Sequence, residues 1–251
     1  MIYVCIPAHN EAPTIGVLLW KVRNALGEFS RDFKIIVYDD ASTDDTQEVL
    51  ERYKRVLPLN VLGSQERIGY GAAVEQLLRH VVGAASYPKR DCAVVLQGDF
   101  TEDPNDMVSL VKALEGGADI VAGVANSGTR QMPLGVKILK GLSRWPLSTV
   151  FSGAPVSDPL NGLRAYRVIV LKKALRDGPG NGPFLGSEGW AANVELLSRL
   201  VPHARRITEV PSEVRHDLRQ RKSRFKPIRT LMALIKLQRR DLWSGSDPNS
   251  V

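Results

Sequence analysis

The sequence predicts an α/β domain built on a mainly parallel sheet with helices on both faces. Three observations carry this prediction. Short apolar runs alternate with amphipathic helical patterns at the spacing of βαβ units. The run at 92–96 is the most apolar, as a central buried strand should be. Polar clusters follow three of the runs: Pro7-Ala8-His9-Asn10-Glu11, Asp39-Asp40 and Gln97-Gly98-Asp99. Open α/β sheets bind ligands beyond the carboxyl ends of their strands, so these clusters converge on one candidate site.

The elements follow in order. Residues 2–7 form a first strand, stopped by Pro7. Ile15, Leu18, Leu19, Val22 and Leu26 then mark one face of a helix, with Pro13 suited to its first turn. A second strand at 34–38 runs into Asp39-Asp40-Ala41-Ser42-Thr43-Asp44-Asp45-Thr46, a polar turn able to cap a helix over 46–56. A third strand is expected near 60–63 and a helix over 71–82. After the strand at 92–96, Pro104 opens another helix, and 119–124 is a fifth strand. Residues 126–160, rich in Gly, Pro and Ser, suggest one helix and a mobile loop. Residues 161–167 suggest a strand, and 176–187 a flexible loop with the composition of a lid. A helix over 188–200 and a strand over 207–210 follow. From Pro227, Ile228, Leu231, Met232, Ile235 and Leu242 share one side of a helix, while Arg229, Lys236, Arg239 and Arg240 lie largely elsewhere. Trp243 stands at its end. The chain therefore divides into a domain over 1–226 and a basic amphipathic helix and tail over 227–251.

Composition narrows the class. The 251 residues are 43% hydrophobic and 24% charged, as in ordinary globular proteins. No run approaches the 18 or so apolar residues of a membrane span. The opening MIYVCIPAHN has no basic flank and too short an apolar run for a signal peptide, so a cytoplasmic location is expected. Cys5 and Cys92 lie in apolar runs and read as buried thiols. The net charge of +7 is uneven: 12 Lys and Arg against 3 Asp and Glu fall between Arg205 and Arg240, leaving the remainder close to neutral. Such a basic segment suits nucleic acid, an anionic membrane surface or a phosphorylated substrate, or else is a solvated face.

Asp39, Asp40 and Asp99, with the side-chain carbonyl of Gln97, offer hard oxygen donors suited to Mg²⁺ or Mn²⁺. A cation there would neutralise a diphosphate leaving group. An Asp at a strand end can also accept hydrogen bonds from a nucleobase or ribose. Helix capping by Asp39 and Ser42, and a plain turn at Asp99, remain alternatives. Gly69-x-Gly71 does not follow the first strand, so it lacks the setting of a dinucleotide fingerprint. It reads as letting the chain pass close to a ligand or a neighbouring backbone. The four histidines have no metal-ligand spacing, and only His9 lies near the site.

The motifs Ile6-Pro7-Ala8-His9-Asn10-Glu11 and Asp39-Asp40-Ala41-Ser42-Thr43-Asp44-Asp45-Thr46 resemble the opening of the family 2 glycosyltransferases, whose fold is the mixed, mainly parallel GT-A sheet flanked by helices. The segment 67–73, the segment Asp158-Pro159-Leu160-Asn161-Gly162-Leu163-Arg164-Ala165-Tyr166-Arg167, Glu195, Glu209-Val210-Pro211 and the basic run 219–224 look like the polyprenyl-phosphate mannose synthase branch. The resemblance spans about residues 2–226 and makes that segment the catalytic domain. It implies an inverting hexosyltransferase that uses a nucleoside diphosphate sugar and a polyprenyl phosphate at the membrane surface, with no role for nucleic acid. It implies nucleotide contacts from Pro7, Ala8, Asn10, Glu11, Asp39, Asp40, Ser42, Gly71, Gln97 and Gly98. A catalytic set of Asp99, Asp158, Arg164 and Arg219 follows, with Lys222 and Arg224 also facing phosphate. A divalent cation would sit at Asp99 and Gln97. The sequence departs from the family pattern in three places. Gln97 replaces the first Asp of D-x-D, Thr101 replaces a Gln, and Arg67 replaces an Asn. A soluble acceptor, or a non-catalytic nucleotide-sugar-binding relative, stays open. A nucleotidylyltransferase is disfavoured, because its Gly-rich loop is absent after the first strand.

Overall fold

A computed structural model describes residues 1–125, 153–178, 182–213, 227–238 and 243. The expectations for 126–152 and for the basic run 219–224 lie outside these residues. Seven strands form one sheet: β1 (Ile2–Ala8), β2 (Phe33–Asp40), β3 (Leu59–Ser64), β4 (Cys92–Val95), β5 (Ile120–Ala125), β6 (Arg164–Arg167) and β7 (Ile207–Ser212), in the order β3-β2-β1-β4-β6-β5-β7. β6 runs antiparallel to β4 and β5, and the other pairings are parallel. The helices are α1 (Ala12–Gly27), α2 (Thr46–Lys54), α3 (Tyr70–Ala84), α4 (Asp106–Glu115), α5 (Val168–Arg176), α6 (Trp190–Leu200) and α7 (Pro227–Gln238).

The central position of β1 explains its composition. It has a parallel neighbour on each side, and all seven of its residues are buried. Its alternate residues feed two cores. Ile2, Val4 and Ile6 pack with Ile15, Leu18, Leu19, Val22 and Leu26 of α1 and with α4. Tyr3 and Cys5 pack with α3, α5 and α6 on the other face. The apolar stripe predicted for α1 is thus the buried one. Burial raises both thiols, Cys92 to about 11, so neither is a nucleophile at neutral pH.

Three elements differ from expectation at their ends. α4 begins at Asp106 rather than Pro104, whose carbonyl accepts the Met107 N–H in a preceding turn. β6 begins at Arg164 rather than 161. The Asn161 side chain donates to the Gly123 carbonyl and accepts the Leu163 N–H, replacing ladder bonds with turn bonds. The predicted lid, where described, is pinned. Phe184 and Leu185 are buried, the Leu185 N–H donates to Glu75, and the Gly186 and Ser187 N–H groups donate to Glu195.

α7 packs on α6 through Leu234 and Leu237, which join Leu160, Ala191 and Val194. The predicted apolar side is corrected in part: Leu231 also packs on this cluster, whereas Met232 is 65% exposed and Ile235 is 37% exposed. Leu234 and Leu237 lie about a third of a turn or more away from them, since successive helical residues are offset by about 100°. The helix is therefore apolar on two sides, one used in packing and one open. No helix among the described residues is long and apolar enough to cross a membrane.

Candidate active site

Sheet register assembles the site. Ala8 lies opposite Asp39 and Cys5 opposite Val95, so the chains leaving β1, β2 and β4 emerge side by side at the carboxyl edge. The loops after β1 and β2 are latched together. The Asn10 N–H donates to Ser42 Oγ at 2.8 Å, the Thr43 N–H to Asn10 Oδ1 at 2.7 Å, and Asn10 Nδ2 to Thr43 Oγ1 at 3.2 Å. His9 Nδ1 lies 2.7 Å from the Asp40 carbonyl, and the Glu11 N–H donates to Thr46 Oγ1 at 2.8 Å. Asp45 stands at the N-cap of α2 without a side-chain capping bond, and the turn is held by Asp44 rather than by Asp39 or Ser42. The Asp44 carboxylate accepts the Thr46 N–H and hydroxyl and the Ala12 N–H. Partial burial opposes ionisation of Asp44, but these hydrogen bonds outweigh it and hold its carboxyl below the usual range. Asp39 stays half-buried at the cleft and accepts the Ser42 N–H at 3.1 Å.

Asp40 is used differently from expectation. It is 4% exposed and accepts the Ile68 and Gly69 N–H groups at 2.6 and 3.0 Å, with Arg67 Nε 3.7 Å away. It therefore ties the 67–69 loop and the start of α3 to β2 rather than facing a ligand. Gly71 resolves the same way. A Cβ there would lie 2.3 Å from the Ser187 carbonyl oxygen, so the glycine admits a neighbouring backbone. Glu188, in the same loop, has its carboxyl raised by burial and by the charge of Asp40, partly offset by Arg67.

The loop after β4 lies against β1. A Cβ on Gly98 would meet the Pro7 carbonyl oxygen at 3.0 Å, so the close approach requires glycine. Asp99 is 2% exposed, and its Oδ1 accepts the Thr101 N–H at 3.1 Å and the Thr101 hydroxyl at 2.5 Å. Thr101 thus orients Asp99. Behind them sits Glu102, 3% exposed. It accepts the Gln97 N–H at 2.8 Å and approaches Gln97 Nε2 at 3.5 Å. Burial pushes its carboxyl up to about 8, reinforced by the charge of Asp99 and opposed by the Gln97 hydrogen bonds and Arg164. No motif in the sequence marks Glu102. It stands next to Asp103, three residues after Asp99, and only its burial sets it apart.

Arg164 is also corrected. It is fully buried, and its Nη1 and Nη2 donate to the Asn193 and Pro159 carbonyls at 2.7 and 2.6 Å. Its guanidinium binds α6 to the 158–163 turn and is closed to a phosphate. Tyr70 completes this buried network by donating to Asn193 Oδ1 at 2.9 Å. Asp158 is half-buried at the start of the turn, where its Oδ1 accepts the Leu160 N–H. The structure therefore gathers Pro7, Ala8, Asn10, Glu11, Asp39, Ser42, Gln97, Gly98 and Asp99 at one edge and assigns Asp40, Gly71 and Arg164 to its framework. Arg219, Lys222 and Arg224 lie outside the described residues.

Backbone strain marks the same edge. Among the described residues, the non-glycine residues with positive φ are Asn10 (50°), Ala41 (52°) and Phe100 (62°), one after each of β1, β2 and β4. For Ala and Phe this conformation costs roughly 1–2 kcal/mol, and such outliers cluster at functional sites. A separate cavity of about 390 Å³, lined by Arg31, Arg90, Asp91, Glu115 and Arg167, lies at the opposite edge of the sheet. Arg31 and Arg167 are engaged there by Glu115, Asp119 and backbone carbonyls, so this hollow lacks the convergent groups of the carboxyl edge.

Donor chemistry permits a hard cation at Asp99. The candidate ligands are a carboxylate and an amide oxygen, and no cluster of three His, Cys, Asp or Glu forms a cage among the described residues. Mg²⁺-type sites commonly use one or two carboxylates and take their remaining ligands from substrate phosphates and water.

The sheet order, with one antiparallel strand among parallel ones and helices on both faces, is that of a GT-A domain. Residues 3–172 match the model of the family "Glycosyl transferase family 2", and the chain belongs to that family. The undecaprenyl-phosphate 4-deoxy-4-formamido-L-arabinose transferase of Pseudomonas fluorescens is 26% identical over 245 residues, covering 93% of this chain and 63% of the relative. The dolichol-phosphate mannosyltransferase of Pyrococcus furiosus is 26% identical over 173 residues, 67% of this chain and 47% of the relative. The chain thus spans roughly half to two thirds of these relatives' length. Among solved structures, glucosyl-3-phosphoglycerate synthase from Mycobacterium tuberculosis with Mn²⁺, UDP and glucosyl-3-phosphoglycerate superposes with a TM-score of 0.60 at 21% identity, covering 96% of this chain and 77% of that one. S. aureus TarS 1–349 with UDP gives 0.55 at 16% identity, covering 94% and 64%. These likenesses establish the shared fold.

Proposed function

We propose that this protein is an inverting glycosyltransferase. It moves a hexose of the mannose or glucose type from a nucleoside diphosphate sugar to a polyprenyl phosphate at a membrane surface. The observation that carries the reading is the convergence of Asp39, Asn10 and Asp99 at the carboxyl edge of β1, β2 and β4, on loops held in strained, latched conformations. Relatives named for undecaprenyl-phosphate and dolichol-phosphate transfer support the acceptor class.

In this reading Asp39 and the backbone of Pro7, Ala8 and Asn10 receive the base and ribose. Asp99 and Gln97 would hold Mg²⁺ or Mn²⁺, which supplies charge neutralisation for the departing diphosphate. The acceptor phosphate is already ionised at neutral pH, so it attacks the anomeric carbon without a strong general base. Asp158 borders the acceptor side, and Arg219, Lys222 and Arg224 supply phosphate contacts. Met232 and Ile235 on the open side of α7, beside Lys236, provide the peripheral membrane contact.

The test uses purified protein with Mn²⁺, radiolabelled GDP-mannose or UDP-glucose, and vesicles carrying polyprenyl phosphate. Labelled glycolipid is the expected product. Label passing only to a soluble acceptor would overturn the lipid acceptor, and no transfer from any donor would overturn the enzyme reading.

A further inference from the structure

On the nucleotide-sugar reading above, we infer that Phe100 is the positioning residue of Asp99. Its ring, seated in the core beside α1, holds the chain after β4 in the left-handed turn that fixes the direction of the Asp99 carboxylate.

Three observations carry this. The first is strain. Phe100 has a φ of 62°. A bulky side chain is disfavoured in that conformation, whereas glycine adopts it freely. The second is anchorage. Phe100 is 9% exposed and belongs to the core shared by β1, α1 and α4. Lys21 of α1 stands over its ring, with Nζ 5.0 Å from the centroid. Burying a phenyl ring gains more than one left-handed residue costs, so the packed ring keeps the turn in place. On the other side of Asp99, the buried Thr14 hydroxyl donates to the Gly98 carbonyl at 3.1 Å. One helix therefore grips the loop on both sides of Asp99, through Gly98 and through Phe100.

The third is what the turn accomplishes. Phe100 separates Asp99 from Thr101, and the reversal at Phe100 brings the Thr101 N–H and hydroxyl back onto Asp99 Oδ1 at 3.1 and 2.5 Å. This Asx turn fixes one carboxylate oxygen and, with it, the plane of the group. If Phe100 relaxed to an extended conformation, Thr101 would be carried away from Oδ1 and the carboxylate would lose its orientation. α1 begins at Ala12, directly after Asn10 and Glu11. The helix that follows the latched loop thus also aims the carboxylate of the loop after β4.

The test measures Mn²⁺ affinity of the full chain by calorimetry in the presence of UDP and of GDP. Phe100→Leu, the conservative variant, keeps a buried apolar anchor and should stay within about threefold of the native protein. Phe100→Ala removes the anchor and keeps the strain, so Mn²⁺ affinity should fall about 5- to 30-fold, the equivalent of one left-handed residue. Phe100→Gly removes the anchor and the strain together and should fall between these two. Metal-free nucleotide affinity should be unchanged in all three. Loss of the ring lowers Tm in both the Ala and the Gly variants, but a purely structural role gives no reason for Gly to bind Mn²⁺ more tightly than Ala. The inference is overturned if Phe100→Ala binds Mn²⁺ like the native protein, or if metal-free nucleotide affinity falls in step with Mn²⁺ affinity. Where the Ala and Gly variants do not fold, Phe100→Leu decides: a loss of about tenfold or more in Mn²⁺ affinity overturns the inference, and a loss within about threefold upholds it. Absence of Mn²⁺-dependent nucleotide binding in the native protein would overturn the nucleotide-sugar reading itself, and this inference with it.

Discussion

The loops after β1 and β2 and the loop after β4 meet at one edge of the sheet but are built on opposite plans. In the first pair, backbone groups of Asn10, Glu11, Ala12, Ser42, Thr43 and Thr46 are bonded to side chains, mostly from the facing loop. In the second, two carboxylates are buried within four residues of each other, oriented by Thr101 and Gln97. The first plan fixes a shape before any ligand arrives. The second sets the Asp99 carboxylate and the Gln97 amide close together, with Glu102 buried behind Gln97. Binding geometry and charge chemistry are therefore separable here, and mutations should separate them.

The largest expected effect is on the charged side. Asp99→Asn keeps an acceptor for Thr101 but removes the charge. Sugar transfer should fall by about 10²–10³-fold with Tm little changed, and metal-free nucleotide binding should survive. Loss of metal-free nucleotide binding in this variant would break the separation. Next is Asn10→Ala, on the latched side. It deletes the acceptor for the Thr43 N–H and places Ala in a left-handed conformation, costing about 2–3 kcal/mol. Thermal unfolding should show a clear drop in Tm, and nucleotide affinity should weaken with or without Mn²⁺. Ser42→Ala removes one acceptor and should cost about 1 kcal/mol, read from denaturant midpoints.

The smallest effect is electrostatic. Asp44 has a lowered carboxyl pKa in the fold, so the unfolded chain binds its proton more readily. Its contribution is complete above the usual carboxylate range and is lost as pH falls through the folded value. Asp44→Asn should lower Tm at pH 7, and the gap from the native protein should close towards pH 3. A gap independent of pH would show that Asp44 acts by shape alone.

The fold was legible because the apolar periodicities are strong. Ile15, Leu18, Leu19, Val22 and Leu26 are buried as their spacing requires, and the three polar clusters do share an edge. What stayed hidden is which polar side chains turn inward. Arg164 reads as a phosphate ligand in its motif, yet in β6 it points to the buried face, where two carbonyls take its Nη1 and Nη2 donors. Asp40 differs from Asp39 only by strand alternation, which sends one carboxylate to the start of α3 and leaves the other at the cleft. α7 carries two apolar stripes, and periodicity alone does not say which one docks. Leu234 and Leu237 do so because α6 and Leu160 present the matching surface. Glu102 was invisible because its role depends on a hydrogen bond to Gln97 rather than on a motif.

The central claim is that this edge binds a nucleoside diphosphate, with shape from the latched loops and charge from Asp99. Calorimetric titration of the native protein with UDP and with GDP, each with and without Mn²⁺, tests it most directly. The account predicts saturable binding of at least one nucleotide without metal, tightened by Mn²⁺. No binding of either nucleotide under both conditions would contradict it.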